Sequence, residues 1–300
     1  MEFGQKTHII RKIVYKAMRK ISDIYKRRAP EAKKYDYGHL LVIGGSKTYS
    51  GSPALNALAA MRCGADLVTV ASPERAANII ASFSPDIITY PLEGDCLSSN
   101  HLEEIRKLPG RFNACIIGGG LGRKKKTLSA VCEFLKKTEY PCVIDADAIH
   151  AIAEKPQITY GRDFLLTPNR SEFHALAGHK VELDLKLEKK AVKKAAKNYG
   201  CAILYKGTYS VVSDGNRLEA KKTGSPYMTK GGCGDLLAGV CGALLARKAL
   251  CFDAGNLGAY INGKAGKFAA KKLGESMLAS DILDEYSSVI NTGLTNLFEK

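Results

Sequence analysis

A glycine string that ends in a carboxylate is the segment of this sequence best suited to chemistry. It reads Thr229-Lys230-Gly231-Gly232-Cys233-Gly234-Asp235 and runs on into Leu236-Leu237-Ala238-Gly239. Glycines let the backbone turn tightly and aim its N–H groups into one space. A helix opening near Gly234 would add unsatisfied donors and a partial positive charge. Together these would form an anion hole suited to a phosphate in transit. Asp235 is either a helix cap or a base. A carboxylate beside an anion hole is repelled by the anion, so its presence there makes sense if it takes a proton from an attacking hydroxyl.

Other segments have the same strand-then-turn form. Leu40–Ser46 leads into Tyr49-Ser50-Gly51-Ser52-Pro53-Ala54, with Ser52 as expected cap and Pro53 as first helical residue. It lacks the Walker A pattern. Ile117-Gly118-Gly119-Gly120-Leu121-Gly122 holds more glycine than a turn needs, which suggests backbone pressed against a ligand. Val143-Ile144-Asp145-Ala146-Asp147 ends a strand in two carboxylates. Asp147 reads as a helix cap, and Asp145 either holds a loop or reaches Mg²⁺ through water. In Thr167-Pro168-Asn169-Arg170-Ser171-Glu172, Asn169 and Glu172 are either a capping pair or contacts to substrate and to magnesium waters. Lys206-Gly207-Thr208 follows an apolar strand, where the lysine either meets nucleotide phosphates or snorkels to solvent.

These turns need strands to present them. Short apolar runs at 39–43, 66–71, 114–117, 142–145, 164–167 and 201–205 alternate with helical stretches starting near Ser52, Pro73, Lys124, Ala146, Arg170, Leu187, Gly234 and Asp253. Runs such as Ala114-Cys115-Ile116-Ile117 are apolar on both faces, as in a parallel sheet covered by helices. The alternation predicts a doubly wound α/β domain. Segments 211–213 and 218–222, around Asp214-Gly215-Asn216, predict a hairpin. Residues 1–34 read as a separate basic amphipathic helical segment, with Ile9, Ile13, Met18, Ile21 and Tyr25 at helical steps, before one domain at 35–300. Packing on the domain or on a neighbouring subunit is its expected role.

Of the 300 residues, 45% are hydrophobic and 25% charged, an ordinary globular balance. The nine cysteines are scattered without a Cys-x-x-Cys pair, against a disulfide framework or a thiolate zinc site. No transmembrane run or secretory signal is visible, so a cytoplasmic location is expected. The net charge of +15 is spread along the chain and shows no nucleic-acid signature. It reads first as a basic surface and second as a match to an anionic ligand, with neither nucleic acid nor membrane as a partner.

In order and spacing these segments resemble the ribokinase-like superfamily and, more narrowly, the ATP- or ADP-dependent NAD(P)H-hydrate dehydratases. The resemblance covers roughly residues 27–289, from Tyr37-Gly38-His39 to Ala279-Ser280-Asp281. It implies a central, mostly parallel sheet with helices on both faces. It also implies a repair reaction, in which the C6 hydroxyl of hydrated NADH or NADPH is phosphorylated and phosphate is then lost. By this resemblance Asp235 is the base, and the amides around Gly232, Cys233 and Gly234 form the anion hole. Lys206, Gly207, Thr208, Tyr209 and Ser210, with Gly231 and Gly234, line the nucleotide, ATP or ADP. Ala54, Gly122, Thr167, Asn169, Glu172 and Asp235 contact the damaged cofactor, and Glu172 lies near Mg²⁺ through water. A homo-oligomer is implied as well. The chain departs from the family in carrying Gly119-Gly120 where Gly-Pro-Gly is common, and Cys233 where Thr or Gln is common. Some relatives also carry an attached epimerase domain, which is not expected here. The competing enzyme reading is a kinase of a vitamin-precursor alcohol, a hydroxymethylpyrimidine or a hydroxyethylthiazole, using the same Asp235. A non-catalytic nucleotide- or nucleic-acid-binding role is the third reading.

Overall fold

The computed structural model describes residues 21–294. Its elements, in chain order, are α1 (Ile21–Ile24), β1 (His39–Ile43), α2 (Gly51–Arg62), β2 (Leu67–Pro73), α3 (Glu74–Phe83), β3 (Ile88–Leu92), α4 (Leu102–Arg106) and β4 (Ala114–Ile117). Next come α5 (Lys125–Lys137), β5 (Cys142–Ile144), α6 (Asp147–Ile152), β6 (Phe164–Leu166), α7 (Arg170–Ala177), α8 (Leu185–Tyr199), β7 (Ala202–Tyr205), β8 (Ser210–Ser213) and β9 (Leu218–Lys221). The described chain closes with α9 (Cys233–Ala246), α10 (Cys251–Leu273) and α11 (Tyr286–Thr292).

The strands form one nine-stranded sheet in the order β3-β2-β1-β4-β5-β6-β7-β8-β9. Pairing is parallel from β3 across to β7, and β8 and β9 add antiparallel as the expected hairpin. Leu40, Val42, Val68, Val70 and Ile116 pack on one face with α2, α9, α10 and α11. Their alternates Leu41, Ile43, Cys115, Ile117 and Ile144 pack on the other face with α5, α6, α7 and α8. Strands buried on both faces explain the unbroken apolar runs.

Some boundaries differ from expectation. β3 escaped notice because Ile-Thr-Tyr-Pro-Leu is half exposed and carries Pro91, which fits a sheet edge that lacks one neighbour. Asp145 and Thr167 lie just past β5 and β6 rather than within them. Helix α2 starts at Gly51, with Ser50 at its cap position and Pro53 third in the helix, so Ser52 is not the cap. Much of the expected N-terminal helix, residues 1–20, lies outside the described residues. Its end is helical at Ile21–Ile24, and Ile21, Ile24 and Tyr25 are buried in the core. Tyr25 donates to the Cys63 carbonyl at 3.0 Å. Among the described residues no helix is long and apolar enough to cross a membrane.

The chain runs outward from β1 to β2 and β3, then returns to place β4 on the other side of β1. That reversal opens a crevice at the carboxyl ends of β1 and β4, where open α/β sheets bind ligands. Helix α9 reaches the crevice by packing very closely. A Cβ on Gly239 would collide with the Asn56 carbonyl oxygen of α2 and lie 2.8 Å from Ala59 Cβ. Gly242 faces Ile116 and Leu40 of the sheet just as tightly. Gly239→Ala is therefore expected to lower stability by about 1–3 kcal/mol, as overpacking does. Urea denaturation would check this, and wild-type stability in the variant would refute the close-packing account.

Candidate active site at the switch point

Two glycine turns meet where the topology reverses. Gly45 N–H donates to the Gly119 carbonyl at 2.8 Å, and Gly118 N–H to the Ile43 carbonyl at 3.2 Å. Gly118 has φ +138°, and a Cβ there would strike the Asp145 carbonyl oxygen. Gly119 presses on the Ser52 hydroxyl, and its added Cβ would lie 3.3 Å from Asp235 Oδ1. The glycines thus approach the protein's own catalytic candidates. At Gly122 the φ is +76° with open space around the Cβ position, and its N–H donates to Asp147 Oδ2 at 2.9 Å. Asp147 also pairs with Arg123 at 2.9 Å, so it clamps this loop and does not cap α6, whose cap position is Ala146.

Asp235 sits in the first turn of α9. Gly232 precedes that helix at φ +95°, where a side chain would meet Leu55 and Ala279. The amides of Gly234 and Asp235, like those of any first helical turn, have no intrahelical acceptor. The Cys233 amide leans on the Lys230 carbonyl at 3.4 Å. Its thiol is buried, and burial raises its pKa, which leaves it a poor nucleophile. Ser52 donates a hydrogen bond to Asp235 Oδ1, and Asn56 Nδ2 holds the Asp235 carbonyl at 2.7 Å. Burial, and then the charge of Asp145, push the Asp235 carboxyl up to about 6, against the opposing pull of Ser52 and Lys206.

Asp145, Thr167 and Lys206 occupy three neighbouring strand ends. Asp145 Oδ1 accepts from Thr167 Oγ1 and from Lys206 Nζ, both at 2.7 Å. The next residue, Ala146, has φ 49° and ψ −123°, a conformation that strains a non-glycine residue by about 1–3 kcal/mol. Lys206 Nζ also lies 3.3 Å from where a Cβ on Gly234 would sit, so the ammonium stands against the start of α9. Burial lowers the Lys206 pKa, but Asp145, Glu172 and Asp235 outweigh it and hold the ammonium above its usual value.

Asn169 and Glu172 form a reciprocal cap on α7. Asn169 Oδ1 accepts from Glu172 N–H at 3.0 Å, while the glutamate carboxylate accepts from Asn169 N–H at 2.8 Å and Nδ2 at 2.7 Å. Burial raises the Glu172 pKa, and Lys206 opposes it. Ala54 and Thr167 are buried, Thr167 with its hydroxyl committed to Asp145. Gly207 and Thr208 are exposed beyond Lys206, with Tyr209 and Ser210 half-buried behind them and Gly231 exposed before α9. Among the described residues no group of His, Cys, Asp and Glu could form a metal cage.

The structure thus brings Asp235, Gly234 and Lys206 together and ties Thr167, Asn169 and Glu172 to them through Asp145 and the α7 cap. Sequence reading missed the contacts of Ser52 and Asn56 with Asp235. Their signal was present: two polar residues four apart on one face of an otherwise Ala- and Leu-rich helix.

Sheet order and a carboxylate in the first turn of α9 define an open, mostly parallel α/β protein with its candidate site at the switch point. The family model for NAD(P)H-hydrate dehydratase matches residues 40–288, and the chain belongs to that family. It is 41% identical over 268 residues to a bifunctional NAD(P)H-hydrate repair enzyme of Pyrobaculum aerophilum, covering 89% of this chain and 53% of that protein. It is 32% identical over 265 residues to an ADP-dependent (S)-NAD(P)H-hydrate dehydratase of Cenarchaeum symbiosum, covering 88% and 92%. The chain therefore spans about half the length of the bifunctional relative and nearly all of the other. An ADP/ATP-dependent NAD(P)H-hydrate dehydratase of Bacillus subtilis, co-crystallised with ATP and Mg²⁺, shares the fold. Its TM-score is 0.77 at 23% identity, over 91% of this chain and 96% of that one.

A carboxyl whose pKa is raised on folding opposes folding once it ionises. For Asp235 the penalty is full above pH about 6, fades toward the ordinary value of 3.8, and is absent below it. Asp235→Asn is expected to melt above wild type at neutral pH, with the gap closing as pH falls through that window. Equal melting temperatures at every pH would contradict the buried-charge account.

Proposed function

We propose that this protein dehydrates NADH hydrate and NADPH hydrate back to the reduced cofactors at the expense of a nucleotide, with Asp235 as the base. The observation that carries the reading is the Asp235 carboxylate accepting a hydroxyl hydrogen bond, from Ser52, at the opening of α9. A substrate hydroxyl in the place of Ser52 Oγ would stand between a base and an anion hole.

The chemistry follows from charge. The C6 hydroxyl of the hydrate is part of a hemiaminal, and hydroxide leaves poorly at neutral pH. Asp235 takes the hydroxyl proton while the oxygen attacks the terminal phosphorus of ADP or ATP. The bond from that phosphorus to the leaving phosphate oxygen breaks. The N1 lone pair then expels inorganic phosphate, and loss of a C5 proton restores the double bond. The protein's task is placement and charge stabilisation. In this reading the amides of Gly232 and Gly234, with Lys206, face the transferring group, the Cys233 amide being turned to the Lys230 carbonyl, and the loop from Gly207 to Ser210 takes the nucleotide. Ala54, Gly122, Thr167, Asn169 and Glu172 form the cofactor side, Ala54 by backbone.

Mg²⁺ fits as a companion of the nucleotide rather than as a caged ion. Asp145 Oδ1 is taken by Lys206 and Thr167, and both Glu172 oxygens are taken by Asn169. Glu172 would therefore meet the ion through water, and the ion would supply countercharge to the phosphates. The reading also includes a cytoplasmic location and self-association.

With NADH hydrate, Mg²⁺ and either ADP or ATP, the near-ultraviolet absorbance of the reduced ring should rise. Asp235→Asn should lower the rate by about 10²–10⁴-fold, the range for a lost general base. The wild-type kcat/KM should fall as pH drops through about 6, since only the ionised carboxylate accepts the proton. No rise with either nucleotide would overturn the repair reading and leave the vitamin-precursor alcohols as substrates to try.

A further inference from the structure

Asp145 has no part in the steps above, yet the fold fixes it with unusual care. It is 2% exposed. Gly118, at φ +138°, makes room for its carbonyl, and Ala146 after it is held at φ 49° and ψ −123°. Thr167 Oγ1 and Lys206 Nζ both bond the same oxygen, Oδ1, at 2.7 Å. Strained backbone persists only where its surroundings over-determine it, and it gathers at functional sites.

The consequence falls on Lys206. A lysine ammonium is a point charge on a flexible stem, and unpinned it samples many positions. Here the stem emerges one residue past β7, with Lys206 N–H bonded to the Pro168 carbonyl at 2.8 Å. The head is drawn to Asp145, which places it 3.3 Å from the position of a Gly234 Cβ. Among the described residues, the hydrogen bond that holds the ammonium there is the one to Asp145.

We propose that Asp145 is a positioning residue: it anchors Lys206 Nζ against the first turn of α9, so that ammonium and helix amides converge on the phosphate in transit. Thr167 supports it by fixing the same carboxylate. This inference rests on the phosphoryl-transfer reading above, and it assigns Asp145 no proton and no bond to substrate. It also gives Asp145 a sign. Its negative charge opposes the phosphate electrostatically, so its value lies in geometry rather than in attraction for the nucleotide.

The test uses Asp145→Asn, Thr167→Val and Lys206→Met in the full chain, with three readouts. The first is the lysine ammonium nitrogen signal in NMR, assigned to Lys206 by its loss in Lys206→Met. A held ammonium should be visible in wild type, lost in Asp145→Asn and weakened in Thr167→Val. The second is ADP affinity by calorimetry set beside kcat. Asp145→Asn should bind ADP no more weakly than wild type while kcat falls by about 10²-fold, the scale of a small misplacement. Lys206→Met should lose affinity as well. The third is the pH profile. The groups facing Asp235 are Asp145, Lys206 and Ser52, and removing the Asp145 charge should move the acid limb below its wild-type place.

A Lys206 signal that survives in Asp145→Asn would overturn the inference whatever the substrate. So would affinity and kcat falling together, which marks general loosening, or a kcat restored in full by excess Mg²⁺, which marks a metal role. If Asp145→Asn does not fold, Thr167→Val carries the same readouts, and unchanged signal and kcat there would count against the proposal. If wild type turns over no hydrate but the ammonium signal is lost in Asp145→Asn, the anchoring stands and the substrate reading falls.

Discussion

One half-buried ammonium, that of Lys206, faces the carboxylates of Asp145, Glu172 and Asp235 in a single crevice. Acid therefore outnumbers base where an anion must bind, and the rest of the site follows from that imbalance. Asp145 is satisfied by a direct ion pair and a hydroxyl. Glu172 is satisfied by the cap of α7. Among the described residues the Asp235 carboxylate accepts from the Ser52 hydroxyl alone, so burial and the charge of Asp145 raise its pKa. A carboxylate left basic in this way suits proton acceptance. The same imbalance makes a cation carried in with the nucleotide useful, because Lys206, the cation that acts on Asp235, is already paired with Asp145.

The sheet supplies the place and the glycines supply the distance. The reversal between β1 and β4 sets two turns side by side, and Gly119 lets them approach Ser52 and Asp235. Gly239 then lets α9 lie against α2, so that Ser52 and Asn56 on one helix reach Asp235 on the other. These glycines act at different levels, one at the ligand end and one in the helix contact. Both serve a geometry in which two helices share one carboxylate.

The parallel sheet was legible because strands buried on both faces leave unbroken apolar runs, as at 114–117. The edge strand β3 was not, because an edge needs neither the run nor an interior free of proline. Asp235 and the glycine turn before it were legible as a local string, since turn and helix start are adjacent in sequence. Ser52 was misplaced as a cap because local chemistry allowed it; only the tertiary fold offered Asp235, far along the chain, as a better acceptor. The Asn169 and Glu172 pair was read both ways, and the structure shows the cap in place. A cap does not exclude a site: the same bonds that close α7 also fix a carboxylate beside Lys206.

Where local rules and tertiary structure agree, a residue needs no further account, and most of this chain is of that kind. The conflicts are more informative. Ala146 stands in a conformation that glycine would adopt more easily, yet it precedes a helix and follows a buried acid. Asp235 is an acid in a place where an amide would be better tolerated. Gly118 yields to a carbonyl rather than to solvent. All of these surround the same two carboxylates and one ammonium. Positive-φ residues and buried acids also occur elsewhere, at Tyr35, Glu154 and Lys248 and at Glu188, Asp253 and Glu285; what sets this crevice apart is that strain, acids and an ammonium meet at one point, the pattern of a site held for chemistry rather than for stability.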